Sequence, residues 1–93
     1  MRTYEAVCVF RPEGEAFSRG RDNVREKLKG LGATIVKEED MGERSLAYPI
    51  QKQNRAHYFI FIVEMDPERA HSTEEQLRHN EDILRFLMVR QEQ

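Results

Sequence analysis

Apolar residues along this chain change their spacing from one segment to the next. Residues 2 to 10, Arg-Thr-Tyr-Glu-Ala-Val-Cys-Val-Phe, are rich in β-branched and aromatic types and break at Arg11-Pro12-Glu13-Gly14, which predicts a strand. From about Glu15 to Leu31 the apolar residues Phe17, Val24, Leu28 and Leu31 recur at helical spacing among arginines, lysines and glutamates, and Gly30 and Gly32 supply the stop. Ala33 to Lys37 reads as a strand, and Ser45 to Ile50 as a second extended piece after a charged stretch. Pro49 forces Tyr48 into an extended conformation and suits an edge position, so a long, bent edge strand fits both pieces. Gln51 to Arg55 has the polarity of a turn, and His57 to Met65 is the strongest strand pattern in the chain. Asp66-Pro67-Glu68 opens a second helix, with an aspartate to cap free N–H groups and a proline at the first helical position. That helix is predicted to run to about Arg78 on a thin apolar face of Ala70, Thr73 and Leu77, and Ile83 to Val89 forms a last strand.

The order strand, helix, strand, strand, helix, strand predicts an α+β, ferredoxin-like βαββαβ arrangement: a four-stranded antiparallel sheet with two helices on one face. Residues 1–93 are expected to form one such domain, since the length suits a single core. Many unrelated functions share this fold, so function has to be read from its surfaces.

The open face of such a sheet alternates toward polar residues if it simply meets water. Strand three is instead apolar on both parities, with His57, Phe59, Phe61, Val63 and Met65 on one side and Tyr58, Ile60 and Ile62 on the other. Strand one behaves similarly, Tyr4, Ala6, Cys8 and Phe10 against Glu5, Val7 and Val9. The longer, bulkier set of each strand is assigned to the helices. Val7, Val9, Tyr58, Ile60 and Ile62, with Leu87 and Val89, are then expected to face outward as a protein-docking surface or a homodimer contact.

Charge narrows the possibilities. The chain carries a net charge of −2, with 39% hydrophobic and 34% charged residues. A protein that holds RNA by neutralising phosphates normally presents a cationic excess, so this one must localise its positive charge or borrow it. Arg2, Arg44, Lys52, Arg55, Arg85 and Arg90 fall at strand ends or edges, where several are expected to converge on one rim. The amino terminus has no continuous apolar stretch of signal-peptide type, and the longest apolar run, Tyr58 to Val63, is too short to cross a bilayer, which points to the cytoplasm.

Chemistry-bearing motifs are sparse. The single cysteine, Cys8, lies inside an apolar strand as a core thiol, and His57, His71 and His79 are dispersed without metal-ligand spacing, so neither metal nor cofactor is expected. The acidic runs Glu38-Glu39-Asp40 and Glu74-Glu75 read as solvated faces rather than general acids. Arg11 occupies the loop where acylphosphatase-like enzymes of this topology cradle phosphate, but Glu13 and Glu15 flank it and repel an anion. Arg55-Ala56-His57-Tyr58-Phe59-Ile60-Phe61 is superficially similar to the third-strand motif of RNA-recognition domains, yet Ala56 and Tyr58 stand where that motif needs small residues. No enzymatic activity is expected. A homodimeric ligand-sensing domain remains the alternative of another class.

Several segments carry a family resemblance. Arg2-Thr3-Tyr4-Glu5, Gly32-Ala33, Leu46-Ala47-Tyr48-Pro49-Ile50-Gln51-Lys52, Tyr58-Phe59, Val63-Glu64-Met65 and Leu77-Arg78 through Ile83 to Arg90 resemble the bacterial small-subunit ribosomal protein S6 family over essentially the whole chain. The Leu-Ala-Tyr-Pro-Ile-x-Lys segment is the most specific of these. The resemblance implies a ferredoxin-like fold without enzymatic activity, on the ribosome. It also implies pairing with the basic small-subunit protein numbered eighteen to bind the central domain of 16S-type ribosomal RNA. By the same resemblance, Arg2, Arg85 and Arg90, with Arg44 and Lys52, are expected to contact RNA. Tyr48, Ile50 and Tyr58, with Val7, Val9, Ile60 and Ile62, are expected to contact the partner protein. Departures from the family pattern are a short turn and helix start over Pro12 to Phe17, Thr73 where an aliphatic residue is more usual, and no long acidic tail after Arg90.

Overall fold

The structure, a computed structural model, describes residues 1–91. Its elements are β1 (Arg2–Phe10), α1 (Ala16–Gly30), β2 (Thr34–Ile50), β3 (Gln53–Met65), α2 (Pro67–Leu77) and β4 (Ile83–Arg90). They form a four-stranded antiparallel sheet in the order β2-β3-β1-β4, which is the ferredoxin-like arrangement.

The parity assignment of β1 and β3 holds. Tyr4, Ala6, Cys8 and Phe10 are buried with Phe59, Phe61, Val63 and Met65 against Val24 and Leu28 of α1 and Ala70 and Leu77 of α2. Each of these strands therefore commits one side-chain set to the helix layer, as the period of two requires. Burial leaves the Cys8 thiol protonated, since a thiolate there would lose its hydration.

On α1 the deepest residues are Ala16, Gly20, Val24 and Leu28, a four-residue stride along one stripe. Gly20 is there because nothing larger fits. A Cβ on it would lie 2.7 and 2.8 Å from ring carbons of Phe10, a fully buried side chain. Phe17 rides beside that stripe, edge-on to Phe10 and stacked face to face on His57 at 3.5 Å, and His57 Nε2 meets Asp40 Oδ1 at 2.5 Å. His57 is thus a structural clasp between α1, β2 and β3. Glu38 is likewise gripped by Nε and one terminal nitrogen of Arg25, at 3.0 and 2.7 Å, so the acidic run is a largely exposed face supported by a neighbouring arginine.

Two local expectations need correction. The aspartate at the start of α2 makes no side-chain cap; the Asp66 carbonyl instead accepts the N–H groups of Arg69 and Ala70. The hairpin turn covers only Gln51 and Lys52, both with positive φ (49° and 67°), which is the two-residue turn whose twist matches its strands. The long edge strand expected from the two extended pieces is present as the seventeen-residue β2, kept continuous by bulges that absorb Val36 and Met41. Thr73, fully buried, donates its hydroxyl to the Arg69 carbonyl at 2.8 Å, so a polar residue is tolerated on the thin face of α2 without an orphaned oxygen.

Asp82, buried at the entrance to β4, receives two hydrogen bonds from Arg19 of α1, at 2.9 and 2.6 Å. That bidentate contact holds its carboxyl below the ordinary value near 3.8. Because folding lowers this pKa, the pair's contribution is complete above the unfolded value and is lost as pH falls through the folded one. Asp82→Asn is expected to lower Tm by a few degrees at pH 7. Thermal melts from pH 7 to 2 should show that gap closing in acid; a gap independent of pH would contradict the assignment.

Candidate docking and nucleic-acid interface

Cross-strand partners share a face, so the registers write out the open side of the sheet row by row. One row runs Lys37, Ile62, Glu5, Val89; the next Glu39, Ile60, Val7, Leu87; the third Gly42, Tyr58, Val9, Arg85. The middle of this face is aliphatic. Val7, Ile60 and Ile62 are half-buried, while Leu87 and Val89 on the edge strand are 48% and 44% exposed. A Lys37–Glu39 ion pair at 3.2 Å borders it on the β2 side.

One expected docking residue is already covered. Val9 points to the open face but is buried, because the end of β2 curls back over the sheet. Four residues, Leu46 to Pro49, oppose the single residue Asn54 between the pairs Ser45–Arg55 and Ile50–Gln53. That excess length bends the hairpin, and Leu46, Ile50 and Tyr58 pack on Val9, Ala56 and Leu84 as a second small core. Ile50 is thereby committed largely to the chain itself. The curl is fixed at its tip by Arg11, which donates to Gln51 Oε1 at 2.5 Å and to the Glu81 carbonyl at 2.8 Å. Arg11 is therefore a structural strut.

Two shallow hollows lie where the curl meets the sheet. One of about 380 Å³ is lined by Met41, Arg44, Ser45, Tyr58 and Ile60. Its neighbour, about 160 Å³, is lined by Tyr48, Tyr58 and Arg85 together with residues of the curl. Tyr58 is common to both.

Of the six cations at strand ends or edges, three gather at one rim and the other three lie elsewhere. Arg44, opposite Ala56, Arg85, opposite Val9, and Lys52, in the turn, cluster at the hairpin end of the open face. Arg90 pairs with Tyr4 and Arg2 with Met65, so both lie on the helix side of the sheet at its opposite end. Arg85 and Arg90 are five residues apart along β4, roughly 16 Å. Arg55, on the helix side beside Ser45, is engaged by that serine and by Glu43.

Two acids also lie on this face. Glu5 sits within the Ile62–Val89 row and Glu64 follows Ile62 at the same parity, and among the described residues neither has a basic side chain within ion-pairing distance. Both share the parity of the outward aliphatic set, where the alternation of β1 and β3 puts them. The open face is therefore graded, with acids toward one end, aliphatic residues in the middle and cations with tyrosines at the hairpin end. Among the described residues no three His, Cys, Asp or Glu side chains gather to hold a metal ion.

The class of protein is that of a ferredoxin-like sheet with a greasy, charge-graded open side. Residues 3–90 match the family described as ribosomal protein S6. The small ribosomal subunit protein bS6 of Treponema pallidum is 41% identical over 90 residues, 97% of each chain. Its counterpart from Treponema denticola is 34% identical over 92 residues, 99% of each chain. The crystal structure of 30S ribosomal protein S6 from Thermotoga maritima superposes with a TM-score of 0.85 at 26% identity, covering 97% of this chain and 87% of that one. The C-terminal domain of the MgtC protein from Mycobacterium tuberculosis also superposes, with a TM-score of 0.66 at 11% identity, and shares the fold alone. The chain belongs to the ribosomal protein S6 family, a family of structural components of the small ribosomal subunit rather than of enzymes, which places it on the ribosome in the cytoplasm.

Proposed function

We propose that this protein binds the central domain of 16S-type ribosomal RNA jointly with the basic small-subunit protein numbered eighteen. The grading of the open face carries this reading. Val7, Ile60, Ile62, Leu87 and Val89 give a partner protein an apolar seat, and Glu5 and Glu64 at its border favour a cationic occupant. Arg44, Lys52 and Arg85 stand at the other end of the same face, so a partner seated on the aliphatic rows leaves them free for RNA. Arg2 and Arg90 offer a second, separate phosphate contact at the far rim. A chain of net charge −2 gains little from counterion release on its own, so the basic partner supplies the bulk of that term.

A filter-binding titration with a central-domain RNA transcript tests the reading. Tight, salt-sensitive retention is expected only when this chain and the basic protein are both present. Equal retention by this chain alone would contradict the joint mechanism. Sedimentation separates the alternative of a ligand-sensing homodimer: a dimer at micromolar concentration that does not yield to the basic protein would replace the proposal.

A further inference from the structure

At the hairpin end of the open face, three features coincide. Tyr48 is 67% exposed, in the four-residue bulge of β2, and contributes to neither core cluster. Arg44 and Arg85 line the two adjoining hollows on either side of Tyr58. Among the described residues Arg44, Arg85 and Lys52 have no carboxylate within 4.0 Å, whereas Arg11, Arg19, Arg25 and Arg78 each have at least one.

Each class of occupant makes a different demand on such a groove. A basic protein is repelled by three unneutralised cations. An acidic peptide satisfies the cations and has no use for a ring left in water. Duplex RNA presents phosphates with its bases stacked away. An unpaired nucleotide offers both a phosphate and an aromatic face, and proteins hold such nucleotides by stacking on tyrosine beside basic side chains. The Arg11 strut at Gln51 and the two-residue turn fix the curl in advance, so little ordering remains to be done on binding.

We infer that this groove takes an unpaired nucleotide of ribosomal RNA, its base stacked on Tyr48 and its flanking phosphates held by Arg85, Arg44 and Lys52. The site rests on the RNA-binding reading and adds a mode of recognition to it. Tyr48 thereby moves from the partner protein to the RNA.

The test uses the full chain, saturating basic partner and the central-domain transcript, with partner binding measured separately in the absence of RNA. Tyr48→Ala is expected to weaken RNA binding about tenfold, while Tyr48→Phe, which keeps the ring, stays within about twofold. Arg85→Gln should weaken binding and lower the slope of log affinity against log salt by about one. Partner affinity without RNA should be unchanged in all three. If Tyr48→Ala binds RNA as the parent does, the groove is overturned while joint RNA binding stands. Loss of partner affinity without RNA would hand the groove to the partner protein and also overturn the inference. If the parent itself fails to bind RNA with the partner present, the RNA-binding reading falls and this site with it.

Discussion

Ile60→Lys is expected to cost roughly 2–4 kcal/mol of affinity for the basic partner, thirtyfold or more in Kd, while the isolated protein stays folded. The reason is positional. Ile60 lies in the row Glu39–Ile60–Val7–Leu87 at the centre of the aliphatic field and also lines the larger hollow. Lysine there would bring a charge into the contact and repel a cationic partner. Because the residue is half-buried and belongs to neither core cluster, its loss from the free protein is cheap. Titration calorimetry against the partner, with circular dichroism melts of the variant, separates the two effects. Undiminished affinity would move the partner's seat elsewhere.

Gly20→Ala should destabilise the fold by about 1–2 kcal/mol, although alanine favours a helix interior by about 1 kcal/mol over glycine. The added methyl would meet the Phe10 ring at 2.7 and 2.8 Å and Asp82 Cβ at 3.1 Å. Phe10 has nowhere to go, being closed in by Phe17 and the rest of the core. Combining Gly20→Ala with Phe10→Leu is expected to cost less than the sum of the single changes, because the smaller side chain makes room for the methyl. Urea denaturation of the four proteins gives the coupling energy. Strict additivity, or a stabilising Gly20→Ala, would refute the close approach.

The alternation in β1 and β3 was sufficient to place both faces of the sheet, because a strand has only two sides and the bulkier set fills the helix layer. Leu46 to Lys52 carried the family resemblance and marked the edge strand, yet its consequence lay out of reach. That four residues oppose Asn54, so that the hairpin curls onto Val9, is a matter of register, which no hydrophobicity pattern encodes. Ala16 and Gly20 were missed on α1 for a related reason. Small residues at a close approach have no hydropathic signature, and the stripe was read instead through Phe17, which rides beside it. His57 carried no legible partner either, since Phe17 and Asp40 reach it only through tertiary packing. Which of the six cations share a rim was not legible, because strand ends are not all neighbours: Arg85 and Arg90 differ both in end and in face.

The seat on the aliphatic rows can be probed with a thiol. Cys8 is wholly buried and held protonated, so a cysteine introduced at exposed Leu87 becomes the reactive one. Alkylation of Leu87→Cys is expected to be fast in the free protein and strongly slowed by saturating basic partner, while a control at exposed Glu26 on α1, Glu26→Cys, reacts at the same rate with or without it. Protection of the α1 position with Leu87→Cys still freely alkylated would contradict the account.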